Sequence, residues 1–130
     1  MKPVTQKKID EVVGQALGLA AKAHVWHLST DNYAAHLAYG ELYNLAHTIA
    51  DGISEPCQGE GYDQGVPSVT VSFTHVDRAV TEIEEFCGSS GLGKLLLAVQ
   101  GAKEYDWLTN IVQGFQGDLY SILYKLKKLS

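Results

Sequence analysis

Cysteine is scarce in this chain, and the two residues that are present form no recognisable chemical pattern. Cys57 and Cys87 lie far apart in the sequence. The close spacings of zinc sites and redox motifs are therefore missing, and two cysteines are too few for a disulfide framework. We expect both to be reduced thiols of a protein that works in the cytoplasm.

Positive charge and long apolar runs are also scarce. The formal net charge is −5 at pH 7, and basic residues cluster only at residues 7–8 and 125–128. Such small clusters cannot follow a phosphate backbone. No apolar run approaches the ~20 residues of a membrane-spanning helix, and the first residues do not form a signal peptide. The sequence therefore predicts a protein that binds neither nucleic acid nor membrane.

What the chain does have is helical periodicity. Its 130 residues suffice for one domain with a single core. Apolar residues recur at three- and four-residue steps over residues 5–28, and again over residues 32–54. Thr30 or Asp31 can cap the second of these helices. Because the link between them is short, the two predicted helices form an antiparallel hairpin.

Residues 56–72 break the helical pattern. This stretch contains Pro56, Pro67 and several glycines. The weak alternation over residues 66–73 resembles a strand, but a lone strand in a helical chain has nothing to pair with. We interpret the segment as a long irregular crossover.

Helical periodicity returns over residues 74–87 and 94–129, where Gly101 is a candidate breakpoint. Gly114 and Gly117 each destabilise a helix by ~1 kcal/mol, which favours close helix contact at those positions. Two helices, a long crossover and two further helices predict an all-α, ferritin-like four-helix bundle, with residues 1–130 as a single domain.

The residues that carry chemistry are concentrated in the predicted hairpin. Four of the five histidines fall within 24 residues, and two carboxylates follow them. Imidazole and carboxylate together form ligand sets for iron, manganese and zinc. The candidate metal ligands are His24, His27, His36, Asp51 and Glu55. Each of them alone fits a solvated helix face equally well, and we favour that plainer interpretation for His47. For His75 we favour a helix cap or a surface role.

Helix geometry decides how these residues can share a metal ion. His36 and Asp51 are fifteen residues apart, which corresponds to ~22 Å along a helix. Metal ligands lie ~2 Å from the ion, so these two residues cannot meet within one chain. If two copies of the second helix pack antiparallel about a point near Tyr43 and Asn44, His36 of one copy faces the carboxylates of the other. The sequence therefore predicts a homodimer with two equivalent sites between the subunits.

An ordered set of residues in the hairpin is similar to a known signature. Trp26, Tyr33, His36 and Leu42-Tyr43, followed by Asp51 and Glu55, match the order of the motif in Dps-type miniferritins. The chain resembles more closely a group of small uncharacterised tailed-phage proteins, in residues 24–30, 33–36 and 51–59. The resemblance implies a ferritin-like fold and a homodimer or higher homo-oligomer. It also implies a ferroxidase-type site for a divalent transition metal, with iron as the foremost candidate. For a phage protein, the location would be the host cytoplasm.

The chain departs from the miniferritin pattern at three points. Gly40 stands where those proteins carry a ligating aspartate, so the site lacks one carboxylate. One residue is deleted between Trp26 and His36, so either His24 or His27 is the counterpart of the miniferritin histidine. The basic tail that miniferritins use on DNA is absent. Histidine at position 27 can compensate for the lost carboxylate, because imidazole also binds iron and zinc.

Three functional hypotheses remain open on these observations. The first is a miniferritin-like, dimeric metal-binding protein, with iron oxidation as its activity. The second is a non-enzymatic helical phage accessory protein that binds a host factor, in which the polar stripe forms a dimer-interface network. The third is a binder of a small ligand or nucleotide through Tyr33, Tyr39, Tyr43 and the glycine-rich crossover. The sequence contains no phosphate-loop motif and no nucleophile–base arrangement.

Overall fold

Two long helices form the frame of an all-α structure. The computed structural model describes residues 1–130, except for the side chain of Val4. The helices are α1 (Pro3–Ser29), α2 (Tyr33–Gly59), α3 (Ala79–Cys87), α4 (Leu92–Val99) and α5 (Asp106–Tyr124), with a final π turn at Lys125–Leu129. Short 3-10 turns lie at Val76–Arg78 and Lys103–Tyr105. No strand occurs in the described residues, which confirms the predicted all-α class and a bundle of helices.

Helices α1 and α2 form the predicted hairpin. Residues 30–32 link them, and the Asn32 side chain accepts a hydrogen bond from the Ala35 backbone N–H at 2.9 Å. Asn32 therefore caps α2, rather than Thr30 or Asp31, because its oxygen reaches an amide in the first turn. The predicted apolar faces are buried, namely Ile9, Val13, Ala16, Ala20 and Ala23 on α1, and Leu42, Ile49 and Ile53 on α2. Leu45, which was predicted on the same face of α2, is half-buried.

The prediction that helix α2 ends before Pro56 was wrong. The helix passes through Pro56 and ends at Gly59. Proline inside a helix costs ~3 kcal/mol, because it lacks an N–H and its ring crowds the carbonyl four residues earlier. Cys57 continues the four-residue repeat of Ile49 and Ile53, and all three side chains are fully buried. We attribute the continuation to this burial, which offsets the cost of the proline.

The second half of the chain is more broken than its periodicity suggested. The third helix begins at Ala79, after the 3-10 turn, rather than at residue 74. The candidate break at Gly101 is confirmed, since this glycine has φ +85° and separates α4 from α5. The predicted close contacts at Gly114 and Gly117 are wrong, because a side chain there would meet open space. The close approach to α5 is made instead by Gly52 of α2, over the Phe115 ring.

The crossover is irregular, as predicted, and it runs along the outside of α1. We call residues 63–75 the strap. Its backbone N–H groups at Asp63 and Gly65 donate to the side chains of Gln6 and Asp10. Near its other end, the Thr74 carbonyl accepts a hydrogen bond from the Trp26 indole at 3.0 Å. The strap and α1 therefore run in the same direction.

Two glycines of α1 allow the strap to lie close to the helix. A Cβ atom at Gly14 would lie 2.6 Å from Val69 Cγ2, and one at Gly18 would lie 3.2 Å from Val71 Cγ2. Four residues of helix rise ~6 Å, and two residues of extended chain span ~6.6 Å. The four-residue step of the glycines therefore matches the two-residue step of the valines.

Candidate functional site

The end of the α1–α2 hairpin holds a reciprocal pair of histidines. The Nδ1 atom of His27 lies 2.7 Å from the carbonyl oxygen of His36, and Nδ1 of His36 lies 2.7 Å from the carbonyl oxygen of His27. The two rings are stacked, with their centroids 3.7 Å apart and their planes 21° apart. Each helix therefore holds the imidazole of the other by a backbone group.

These hydrogen bonds decide where the protons of the neutral rings lie. A carbonyl oxygen only accepts hydrogen bonds, so Nδ1 of His27 and Nδ1 of His36 must each carry a hydrogen. The lone pair of each neutral ring is then on Nε2. No hydrogen bond within the described residues involves Nε2 of either ring. A histidine held at Nδ1 by a carbonyl, with Nε2 open, has the arrangement common among metal-binding histidines.

His24 and Tyr43 extend the pair into an aromatic cluster. The His24 ring stacks on the Tyr43 ring at a centroid distance of 4.6 Å, and it lies 6.2 Å from the His27 ring. The Tyr43 ring also meets the His27 ring edge-on at 5.5 Å. The structure therefore brings together the three predicted histidines. The sequence did not lead us to expect that the Tyr43 ring contacts His24 and His27. Its position on α2, one turn beyond Tyr39 and Gly40, places it on the same side of the helix as those residues and could have indicated the contact.

Gly40 has a structural reason to lack a side chain. A Cβ atom at this position would lie 3.3 Å from Nδ1 and 3.4 Å from Cε1 of His27. These distances are tighter than ordinary van der Waals contact, so the missing side chain leaves room for the imidazole on the surface of α2. The sequence identified Gly40 only as a missing ligand.

The two carboxylates do not join the histidines within one chain. Asp51 and Glu55 are exposed on α2 beyond the cluster, and neither forms an ion pair with a described residue. Among the described residues, no group of three or more histidine, cysteine or acidic side chains could hold a metal ion. The three clustered histidines therefore do not form such a group by themselves, and helix geometry keeps His36 and Asp51 ~22 Å apart in one chain.

The remaining histidines have the plainer roles that the sequence favoured. His47 is exposed on α2. His75 caps the 3-10 turn, since its Nδ1 accepts a hydrogen bond from the Asp77 backbone N–H at 3.2 Å. Neither residue belongs to the cluster at the hairpin end.

The two cysteines are buried and free, and they lie outside the histidine cluster. Burial raises the pKa of the Cys57 thiol to about 11. Burial also raises the pKa of the Cys87 thiol, although contact with Tyr120 partly opposes the change. Because the thiolate is the reactive and metal-binding form, both residues are inert thiols at neutral pH.

The chain matches no known protein family, no characterised protein and no solved structure. None of its described helices has the combination of length and apolarity that crossing a membrane requires.

Proposed function

We propose that this protein binds a divalent transition metal ion, such as iron, through the histidine cluster. The observation that supports this most is the reciprocal hydrogen bonding of His27 and His36, which fixes both tautomers and leaves both Nε2 lone pairs open. His24 is close enough to serve as a third nitrogen ligand once the rings adjust. Nitrogen-rich sites of this kind suit iron, zinc and other transition metals.

The stacked histidine pair is not by itself a chelate. A metal ion lies close to the plane of an imidazole that binds it, whereas these ring planes lie nearly face to face. Binding of one ion by both rings therefore requires one ring to rotate and to give up its hydrogen bond to the carbonyl, while the other ring keeps its own. The exposed position of His24 permits an ion to approach the cluster from solvent.

We infer that Asp51 and Glu55 of a second copy complete the site. Both carboxylates are exposed and have no ion-pair partner within the described residues, so they are available to another chain. Asn44, at the centre of the proposed two-fold contact, is also exposed. An antiparallel pair of α2 helices gives two such sites per dimer. This arrangement corresponds to a miniferritin-like protein with a ferritin-like bundle and a reduced metal site.

The test is calorimetric titration of Fe(II) without oxygen, Mn(II) and Zn(II) into the wild-type protein and the His36→Ala variant. We expect wild type to bind and His36→Ala to lose at least tenfold in affinity, because a first ligand is gone. The matched control is His75→Ala, which removes an exposed histidine that lies outside both helices of the hairpin and leaves binding unchanged. Affinity should also fall as the pH is lowered, since protons compete for the imidazoles.

A mixing experiment tests the contribution of the second copy. At a metal concentration near the wild-type dissociation constant, neither His36→Ala nor the double variant Asp51→Asn/Glu55→Gln should bind appreciably when it is alone. Unfolding and refolding an equal mixture should restore about a quarter of the wild-type sites, because half of the dimers are mixed and each has one intact site. Recovery of no sites, with confirmed exchange of subunits, argues against a site shared between copies.

The competing proposal is a non-enzymatic accessory protein that binds a host factor. It is favoured by large apolar side chains exposed at the hairpin end, where Leu28 is 71% exposed and Tyr33 is 75% exposed. An apolar surface of this kind marks an interaction site when its residues are contiguous. If neither wild type nor His36→Ala binds metal at micromolar concentration, this proposal replaces the metal site.

A further inference from the structure

The strap is an extended segment whose backbone is free to form hydrogen bonds. Val69 of the strap lies over Gly14 of α1, and Thr74 of the strap contacts Trp26 of α1. Between these two contacts the strap advances five residues while α1 advances twelve. Twelve helical residues span ~18 Å, so each strap residue covers roughly 3–4 Å, the reach of an extended chain. Within the described residues, no backbone N–H or C=O of residues 66–73 forms a hydrogen bond.

A groove lies between this extended segment and α3, and residues 15–22 of α1 form its floor. Its volume is about 230 Å³, and its walls include residues 69–71 of the strap and Glu82, Glu85 and Phe86 of α3. Sites for drug-sized ligands usually measure ~300–1,000 Å³, so this groove is small for such a molecule. It suits one side chain of a peptide that lies along the strap.

The charged side chains around the groove indicate which charge a bound peptide would carry. Glu82 is already occupied, because its carboxylate accepts hydrogen bonds from Lys22 at 2.5 Å and from the Thr74 hydroxyl. Glu85 is exposed and forms no ion pair within the described residues. A basic residue is therefore the complementary neighbour. The strap of a second copy has no lysine or arginine in residues 63–75, so it does not supply that charge.

We propose that the edge of the strap facing α3 binds an extended peptide segment of a partner protein. The peptide adds a strand beside residues 69–71, through backbone hydrogen bonds of the kind used when a strand joins an open sheet edge. One small apolar side chain enters the groove, and an adjacent lysine or arginine pairs with Glu85. This surface lies away from the histidine cluster, so the proposal is independent of metal binding.

The probe is a blocked hexapeptide of sequence Thr-Val-Lys-Val-Lys-Thr, titrated into the full chain and followed by two-dimensional NMR. We expect shifts to be concentrated at the amides of residues 69–71 and at Glu85. The same peptide methylated on alternate backbone nitrogens should bind roughly tenfold more weakly, because it loses its donors. Glu85→Gln should weaken binding a few-fold, and the matched control Glu84→Gln, on the same helix, should not change it.

Each other outcome contradicts the proposal. Equal binding of the methylated and unmethylated peptides shows that strand pairing is absent. No shift at millimolar peptide removes the site. Concentration-dependent shifts of the same amides without peptide identify a second copy as the occupant and overturn the assignment to a partner.

Discussion

The two sides of helix α1 differ in how completely their polar groups are used. On the side facing α2, His27 and His36 each satisfy one ring nitrogen with the backbone of the other helix. On the side facing the strap, contact is made by glycines and valines, and the backbone of residues 66–73 stays unpaired. A helix–helix contact satisfies its backbone internally, whereas an extended segment on a helix cannot. The first side thus orients imidazole side chains that can bind a ligand, and the second has backbone groups that can form hydrogen bonds with a partner.

Replacing Trp26, which contacts both α2 and the strap, should have the largest effect on stability. Its side chain is fully buried, it packs near Tyr39 of α2, and its indole donates to the Thr74 carbonyl of the strap. We expect Trp26→Ala to lower the free energy of unfolding by ~3–5 kcal/mol, as large cavities in cores do. Urea denaturation measures this change. The control is Trp107→Ala, at a half-buried tryptophan whose loss should be smaller.

Replacing Gly14 should push the strap away from α1 and so test how much their contact contributes to stability. A Cβ at Gly14 would lie 2.6 Å from Val69 and 2.7 Å from Pro67, so the strap must move. We expect Gly14→Ala to destabilise the protein by ~1–3 kcal/mol through overpacking, less ~1 kcal/mol gained in helix propensity.

The matched control for this substitution is Gly114→Ala, in α5, where a side chain meets open space. That variant should be stabilised by up to ~1 kcal/mol, because it gains helix propensity without a clash. If thermal denaturation moves both variants in the same direction, the strap does not press on α1 as described.

The contrast between the two sides also explains what the sequence could predict. Spacing on α1 and α2 predicted the hairpin and its buried faces, because helical periodicity is a local property. The packing of the strap on α1 was missed because its hydrogen-bond partners on that helix lie 48 to 57 residues earlier. The sequence pattern that could have predicted this contact is the four-residue spacing of Gly14 and Gly18, which matches the two-residue spacing of Val69 and Val71. Hydrogen bonds to backbone carbonyls, such as those of the histidine pair, leave no mark on a sequence.

The ion pair between Lys22 of α1 and Glu82 of α3 should make the stability of the protein depend on pH. Burial alone would raise the pKa of Glu82, but hydrogen bonds from Lys22 and Thr74 hold it below the ordinary value of 4.5. A carboxylate whose pKa is lowered by folding stabilises the protein above its unfolded pKa, and this stabilisation is lost as the pH falls. The difference in urea midpoint between wild type and Glu82→Gln should therefore shrink below about pH 4.5.

The control for this ion pair is Glu84→Gln, which removes an exposed partner of Lys127. Exposed ion pairs contribute ~0–1 kcal/mol, so this variant should follow the wild type closely at every pH. A constant gap between wild type and Glu82→Gln from pH 7 to pH 3 is the contrary result. It would mean that the Glu82 charge does not contribute to folding.

The smallest effect on stability is expected at Gly40, where the histidine side of α1 is tightest. Alanine there gains ~1 kcal/mol in helix propensity. Its Cβ would lie 3.3 Å from Nδ1 of His27, however, so the ring must shift by a few tenths of an ångström. We expect Gly40→Ala to change stability by less than ~1 kcal/mol but to move the His27 ring-nitrogen resonances in NMR, because its bond to the His36 carbonyl is disturbed. In the control Gly59→Ala, whose side chain meets open space, those resonances should stay in place. If they also stay in place in Gly40→Ala, the glycine is not what seats the His27 ring, and an added carboxylate at position 40 would become compatible with the cluster.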